Sequence, residues 1–299
     1  SSAVDEVAHL TAGYTYWNTG NFKLNEEHPP LTKLLAAAPL LIINPELPLD
    51  STYWSDETLE SQWKLAREFL FSGRNDPDQL FFWARIPMIL IGVLLGVYIY
   101  RWAKELYGIH AALLALLFYA FSPDVLGQTI WVHTDMGVAA GMFITTYYFW
   151  KFLQKQTWKV LIILAISLGL TNAVKFTGVY LIPIFAALFG LHLYHNILKK
   201  DFKKIESTET EKYLANTAVL MGIMLVIGFA VLAATYFFVN IGQYFAGLSF
   251  VVGHSQEGNP AFLWGEFSKE GWWYYFIAAF LVKTPLVTII LLITSLLFW

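Results

Sequence analysis

The side chains able to do chemistry are unevenly spread along the chain. Asp5-Glu6 and His9 open it, and Glu26-Glu27-His28 stands directly before Pro29-Pro30. Asp124, His133 and Asp135 follow, then Lys175. His254, Glu257, Glu266, Lys269 and Glu270 come near the end, with Lys283 after them. A carboxylate within hydrogen-bond reach of a hydroxyl can take its proton. A fixed ammonium or guanidinium can meet negative charge that develops on an oxygen, and imidazole with carboxylate can hold a metal. Thiol chemistry is excluded: the 299 residues include no Cys, so there is no disulfide framework, Cys-type zinc site or sulfur nucleophile.

The elements that position these groups are mostly apolar. The chain is 57% hydrophobic, 17% aromatic and only 14% charged, against roughly 25% charged in an average soluble chain, and its mean hydropathy is +0.52. A net charge of −3 offers no basic face to phosphates of nucleic acid. The expected fold is therefore an all-α polytopic membrane protein. Apolar runs at 83–100, 110–127, 135–151, 159–173, 177–196, 214–239 and 275–298 predict about seven crossings, several of them short of the roughly 20 residues a straight span needs. With residues 1–80 outside, the inside loops 101–109, 151–159 and 197–213 carry ten Lys/Arg against five Asp/Glu, as the positive-inside bias requires. Trp83, Trp102, Trp131, Trp150 and Trp158 fall near span ends, where an aromatic belt belongs.

Residues 1–80 read as amphipathic pieces outside the bilayer. Ser55 is placed to cap a helix with Asp56 and Glu57 in its first turn, an apolar face of Leu59, Trp63, Ala66 and Leu70, and a Glu60–Lys64 pair opposite. Pro29-Pro30 predicts the start of a second helix over 31–43, apolar enough to lie in the membrane interface. On this topology the chemical groups collect on the exoplasmic face, and hardly any ionisable residue sits mid-span. A secondary transporter would place its binding groups near the midplane. The surface location suits an enzyme whose substrate has one end in lipid.

Two blocks carry a resemblance. The first runs Asp5-Glu6-Val7-Ala8-His9, Gly13-Tyr14, Thr19 to Asn25, Glu27-His28-Pro29-Pro30-Leu31 and Lys33; the second is Gly253-His254, Leu263-Trp264-Gly265-Glu266, Gly271 to Tyr275 and Lys283-Thr284-Pro285-Leu286. Together they resemble phospholipid-carrier-dependent glycosyltransferases of GT-C type, relatives of protein O-mannosyltransferases and of the aminoarabinose transferase of lipid A. The resemblance implies a GT-C transmembrane bundle that moves a sugar from a polyprenyl-phosphate carrier to an exoplasmic protein, lipid or glycan acceptor, with inversion. The implied partners are membrane lipids and the lipid-linked donor, with a larger membrane assembly open and nucleic acid excluded. The implied division is an exoplasmic loop over 1–80, a bundle over 81–239, a second exoplasmic loop over 240–275 and a final span over 276–299. Family members have a span before the Asp-Glu pair and continue past the last one here, so the chain is read as part of a longer one. A bacterial or archaeal plasma membrane is preferred over the endoplasmic reticulum. Two rival readings are a catalytically idle subunit that keeps this fold and a lipid-linked sugar transporter.

By the same resemblance Asp5 is the expected general base, with Glu6 supporting it and Asp135 a second acid. The plain alternative for Asp5 and Asp135 is an acid near a helix N-terminus. Lys175 is the main expected donor-phosphate contact, because it lies outside against the Lys/Arg bias, between Asn172 and Gly178 where a helix is expected to break; otherwise it is a snorkelling anchor. Arg85, Lys33 and Lys283 are further phosphate candidates. Glu27, His28, His254 and Glu266 are expected around the substrate. Glu27 with His254 is the candidate metal pair, although two ligands do not define a zinc site and a divalent metal is not expected to be essential. Trp272-Trp273-Tyr274-Tyr275 reads as interface belt, and the lysines at 199–204 as topological.

Overall fold

A computed structural model describes residues 4–56, 60–194, 207–256 and 261–297, without the side chains of 207–214 and 254–256. Glu257, Leu59 and the lysines at 199–204 lie outside the described residues, and so does the side chain of His254. The described residues are helical nearly throughout, with one two-stranded hairpin among them, Ala261–Leu263 paired antiparallel with Glu266–Ser268. Trp264 and Gly265, both at positive φ, turn that hairpin.

The N-terminal part is built on helix α1 (Val4–Thr19), which is buried over most of its length. It crosses α2 (Leu31–Ala37) so closely that a Cβ at Gly13 would stand 2.0 Å from the Lys33 carbonyl oxygen. Only glycine fits there, which gives a packing reason for Gly13 in the first sequence block. The expected helix over 31–43 is in fact two pieces. Pro39 has no N–H to continue the ladder, so α2 stops and a short α3 (Leu40–Ile43) restarts, ending at Asn44 in the left-handed region. Ser55 does not cap a helix either. It is the last residue of α4 (Thr52–Ser55), which Ser51 caps by accepting from the Tyr53 amide at 3.2 Å. The following helix, α5 (Ser61–Phe71), buries Gln62, Leu65, Ala66, Phe69 and Leu70. That face is rotated from the expected one, leaving Trp63 half-buried, while the Glu60–Lys64 pair forms at 3.0 Å on the exposed side.

The apolar helices follow. Pro77 begins α6 (Pro77–Tyr107), with the Asp76 carboxylate accepting from the Asp78 and Gln79 amides. Next come α7 (Ile109–Ala120) and α8 (Pro123–Thr129), bent by 63° at the break before Pro123. Then α9 (Thr134–Gln154), α10 (Trp158–Val174), a 3-10 turn (Phe176–Tyr180), α11 (Leu181–Leu193) and α12 (Ser207–Thr235) complete the bundle. Among the described residues three helical segments, Pro77–Tyr107, Phe176–Leu193 and Ala215–Thr235, are long and apolar enough to cross a membrane; the number is five if each bent pair is one span. The chain is an all-α polytopic membrane protein, and two of the about seven expected apolar runs are broken by proline. Proline breaks the 110–127 run at Pro123 and the 275–298 run at Pro285, where α14 (Tyr275–Lys283) and α15 (Leu286–Leu297) meet at 112°. The 159–173 run becomes the 17-residue α10, largely buried between α9 and α12.

The 240–275 stretch is no simple loop. Its helix α13 (Gly242–Gln256) packs back onto the first segment, where a Cβ at Gly247 would lie 2.5 Å from the Glu26 carbonyl oxygen and 2.9 Å from the Phe176 ring. Tyr16, Phe22, Tyr236, Phe176 and Tyr244 form the aromatic cluster that joins these pieces.

Candidate active site

The centre is assembled around the short link between α8 and α9. Glu6, wholly buried on α1, accepts two hydrogen bonds from Arg85 of α6, at 2.8 Å from Nε and 2.7 Å from Nη2. The Val132 amide also donates to Glu6, at 3.3 Å. Three residues along the same face of α1, His9 Nδ1 lies 2.8 Å from the Val132 carbonyl oxygen. The carbonyl can only accept, so Nδ1 carries the proton in neutral His9 and Nε2 is left as the acceptor. Both backbone groups of Val132 are thereby fixed to α1, which sets the direction in which His133 and Asp135 leave the link. Arg85 also lies 4.6 Å over the Trp131 ring.

Three imidazoles meet beside this clamp. The His9 and His28 rings are 5.5 Å apart and the His9 and His133 rings 6.1 Å apart, each pair edge-on. Burial, reinforced by the Lys33 charge, pushes His9 down to about 3 and His28 down to about 4, so both are neutral near pH 7. His133 Nε2 and Thr32 Oγ1 are buried without a hydrogen-bond partner among the described residues. Thr32 Oγ1 stands 3.2 Å from where a Cβ on Gly137 would be, one turn along α9 from His133.

Asp135, in the first turn of α9, pairs with Lys175 at 2.6 Å. Lys175 has extended backbone between the end of α10 and the 3-10 turn, the local break anticipated between Asn172 and Gly178. Both side chains of this pair keep access to solvent. Asp5 is exposed one turn before His9, and no ion pair holds it among the described residues.

Residues 78–226 match the family model of the dolichyl-phosphate-mannose-protein mannosyltransferases. Over this stretch the chain is similar to that family. No curated protein and no solved structure matches it significantly. The match supports a mannosyltransferase-like glycosyltransferase of GT-C type that is an integral membrane protein. The matched stretch contains Arg85, Asp135 and Lys175, whereas Asp5 and Glu27 lie before it.

The mannosyltransferase-like centre corrects several expectations about single residues. Lys33 has no open face for a donor phosphate. It is fully buried, and its ammonium donates to the carbonyl oxygens of Asn25 and His28, both at 2.7 Å, and to the Tyr16 hydroxyl at 3.0 Å. Burial pushes it down to about 7, against the pull of the Glu27 and Glu26 carboxylates. Its work is to hold the 25–28 loop. Arg85 is likewise committed, since Glu6 matches its charge at bidentate distance. Glu266 is exposed in the hairpin and Lys283 is exposed at the end of α14; the interactions above include neither. His28 sits with the histidines, while Glu27 lines a separate cavity on the other side of the loop. Among the described residues no three His, Asp or Glu side chains are arranged to hold a metal. The three imidazoles are edge-on, and His9 Nδ1 is already engaged with a carbonyl. These residues do not fit a metal centre, and no chemical step is assigned to one.

Sequence reasoning missed the histidine trio and the Val132 clamp. The three-residue spacing of Glu6 and His9 was a usable signal for a shared helix face. The capture of backbone groups 123 to 126 positions away left no local trace.

Proposed function

We propose that this glycosyltransferase works at the exoplasmic surface, with Asp5 as the general base of an inverting transfer. The observation that carries the reading is the different fate of two adjacent carboxylates. Glu6 is buried and neutralised by Arg85, whereas Asp5 is exposed one helical turn before His9. Asp5 takes the proton from the acceptor hydroxyl. The hydroxyl oxygen attacks the anomeric carbon from the side opposite the phosphate, and the carbon–oxygen bond to the lipid phosphate breaks. One such displacement inverts the carbon. Lys175 meets the negative charge growing on the departing phosphate, and Asp135 holds the lysine in place until the donor arrives. His9 and His28, neutral near pH 7, give the site a rigid wall that adds no charge.

Purified protein in lipid nanodiscs, supplied with radiolabelled polyprenyl-phosphate mannose, tests this. Wild type should release or transfer mannose with inversion, and Asp5→Asn should lower turnover by about 100- to 10,000-fold with an unchanged melting temperature. Full activity in Asp5→Asn, or retention at the anomeric carbon, would remove Asp5 as the base. No turnover of any lipid-linked sugar by the wild type would favour the idle-subunit reading.

A further inference from the structure

The hairpin of Ala261–Leu263 and Glu266–Ser268 has three residues in each strand, and no third strand pairs with it among the described residues. A lone two-stranded hairpin is marginal in water and needs a surface over its apolar face. Phe262 stands directly across from Phe267, so the two share one face, with their ring centroids 4.9 Å apart. Leu263 stands across from Glu266, which places Glu266 on the opposite face. The phenyl face is nevertheless open: Phe262 is 53% exposed and Phe267 77%.

The tip is just as exposed. Trp264 turns the hairpin at φ 52°, in the left-handed region where Asn, Asp or Gly is the ordinary choice and a bulky side chain is strained. It is 70% exposed, so little packing within the chain offsets that strain. Beyond the second strand, Ser268 Oγ accepts from the Glu270 and Gly271 amides at 3.2 and 3.1 Å and bends the chain just before Trp272. Trp273 and Phe276 are exposed as well, and α14 starts at Tyr275. Ser268 and Tyr275 are seven residues apart, which holds the end of the hairpin within roughly 25 Å of α14. Together α14 and α15 are apolar and long enough to cross a membrane.

We propose that this hairpin is a membrane-interface anchor, with Phe262, Phe267 and Trp264 set in the headgroup–acyl boundary of the bilayer and Glu266 facing water. The tether to α14 keeps the hairpin near the bilayer that the α14–α15 pair enters. Aromatic rings concentrate at such boundaries because they are apolar with a polar edge. The division of the hairpin into a phenyl face and a Glu266 face matches a boundary with lipid on one side and water on the other, and Lys269 and Glu270 stay exposed in the bend. A protein strand added to the hairpin edge would pair through backbone groups and leave the phenyl face uncovered. The aromatic residues of the second sequence block thereby hold that block at the membrane surface.

The chain has no Cys, so one introduced cysteine carries one nitroxide label and reports on one position. Phe262→Cys, Trp264→Cys, Phe267→Cys and Glu266→Cys are each made in the full chain, labelled and placed in lipid nanodiscs. Power saturation of the nitroxide signal then measures collisions with oxygen, which concentrates in lipid, and with a neutral nickel chelate, which stays in water. The ratio of oxygen to nickel collisions should be severalfold higher at 262, 264 and 267 than at 266. The labels at 262 and 267 each keep the other phenyl ring, and the label at 266 keeps both. Trp264→Gly keeps the turn, because glycine takes positive φ freely, and should raise nickel access at the 267 label severalfold. Equal ratios at 262, 267 and 266 would put the hairpin in water. Low access for both reagents at 262 and 267 would mean that protein covers the phenyl face. Either result overturns the proposal, and unchanged access in Trp264→Gly would overturn the anchoring role of the tip.

Discussion

Glu6 and Arg85, 79 positions apart, close a two-point ion pair at 2.7 and 2.8 Å with the carboxylate wholly buried. The pair ties α1 to α6, the first long apolar helix, and with His9 it fixes the link that carries His133 and Asp135. Breaking one side of a buried pair leaves an uncompensated charge, which costs about 3–5 kcal/mol. Arg85→Met should therefore lower the melting temperature in nanodiscs sharply. The double variant Glu6→Gln/Arg85→Met should recover much of the loss, because neither charge is then stranded. A double variant no more stable than Arg85→Met would show that the ion pair is not what holds the two helices together.

Lys175 should matter to turnover more than to folding, since its partner Asp135 is partly open to solvent. Lys175→Ala is expected to reduce kcat by about 100- to 1,000-fold, the usual effect of removing one group that stabilises developing negative charge. Product inhibition by polyprenyl phosphate should weaken in parallel. Lys175→Arg, which keeps the charge, should restore part of both. If inhibition by polyprenyl phosphate is unchanged in Lys175→Ala, the lysine does not touch the phosphate.

The buried histidines predict an acid-sensitive fold. An imidazole whose pKa falls on folding binds its proton less tightly in the folded chain, so acid favours the unfolded state. The contribution is complete above the ordinary value of 6.5 and is lost progressively as the pH falls toward about 4 for His28 and about 3 for His9. The groups facing them are Lys33, Lys175, Asp135 and His133. Melting temperature should therefore drop from pH 7 to pH 4, and His28→Asn should flatten that drop. An equal pH dependence in wild type and His28→Asn would contradict the assignment.

Lys33 predicts a loop that depends on one ammonium. In Lys33→Met the carbonyls of Asn25 and His28 lose their partner, at about 1–3 kcal/mol for each buried acceptor left unpaired. The melting temperature should fall, and proteolysis should quicken within the 23–28 segment before the helices unfold. Lys33→Arg should not rescue, because the ammonium is fully buried and enclosed by the Asn25 and His28 carbonyls and the Tyr16 hydroxyl. Unchanged proteolysis in Lys33→Met would show that the loop is held by other contacts.

The class was legible in the sequence because it is written locally. Apolar runs and scarce charge demand a membrane, and Asp5-Glu6, Glu27-His28-Pro29-Pro30, Asp135 and Lys175 stand out by type and spacing. The Glu60–Lys64 pair and the break at Lys175 follow from neighbours within one or two turns. Helix ends were read less well: Pro39, Pro123 and Pro285 each interrupt a run that hydropathy alone reads as continuous.

What each polar group does was decided only by tertiary structure. Asp5 and Glu6 are neighbours of the same chemistry, and nothing local separates them. Helical rotation turns them to different faces, and Arg85 waits on one of those faces alone. Lys33 and Lys175 are both lysines near helix ends. One is sealed under the 25–28 loop and the other meets Asp135 across 40 positions. A sequence lists groups able to carry charge or protons. Burial and partners brought from far along the chain determine which remain available, because desolvation and pairing are properties of the packed neighbourhood.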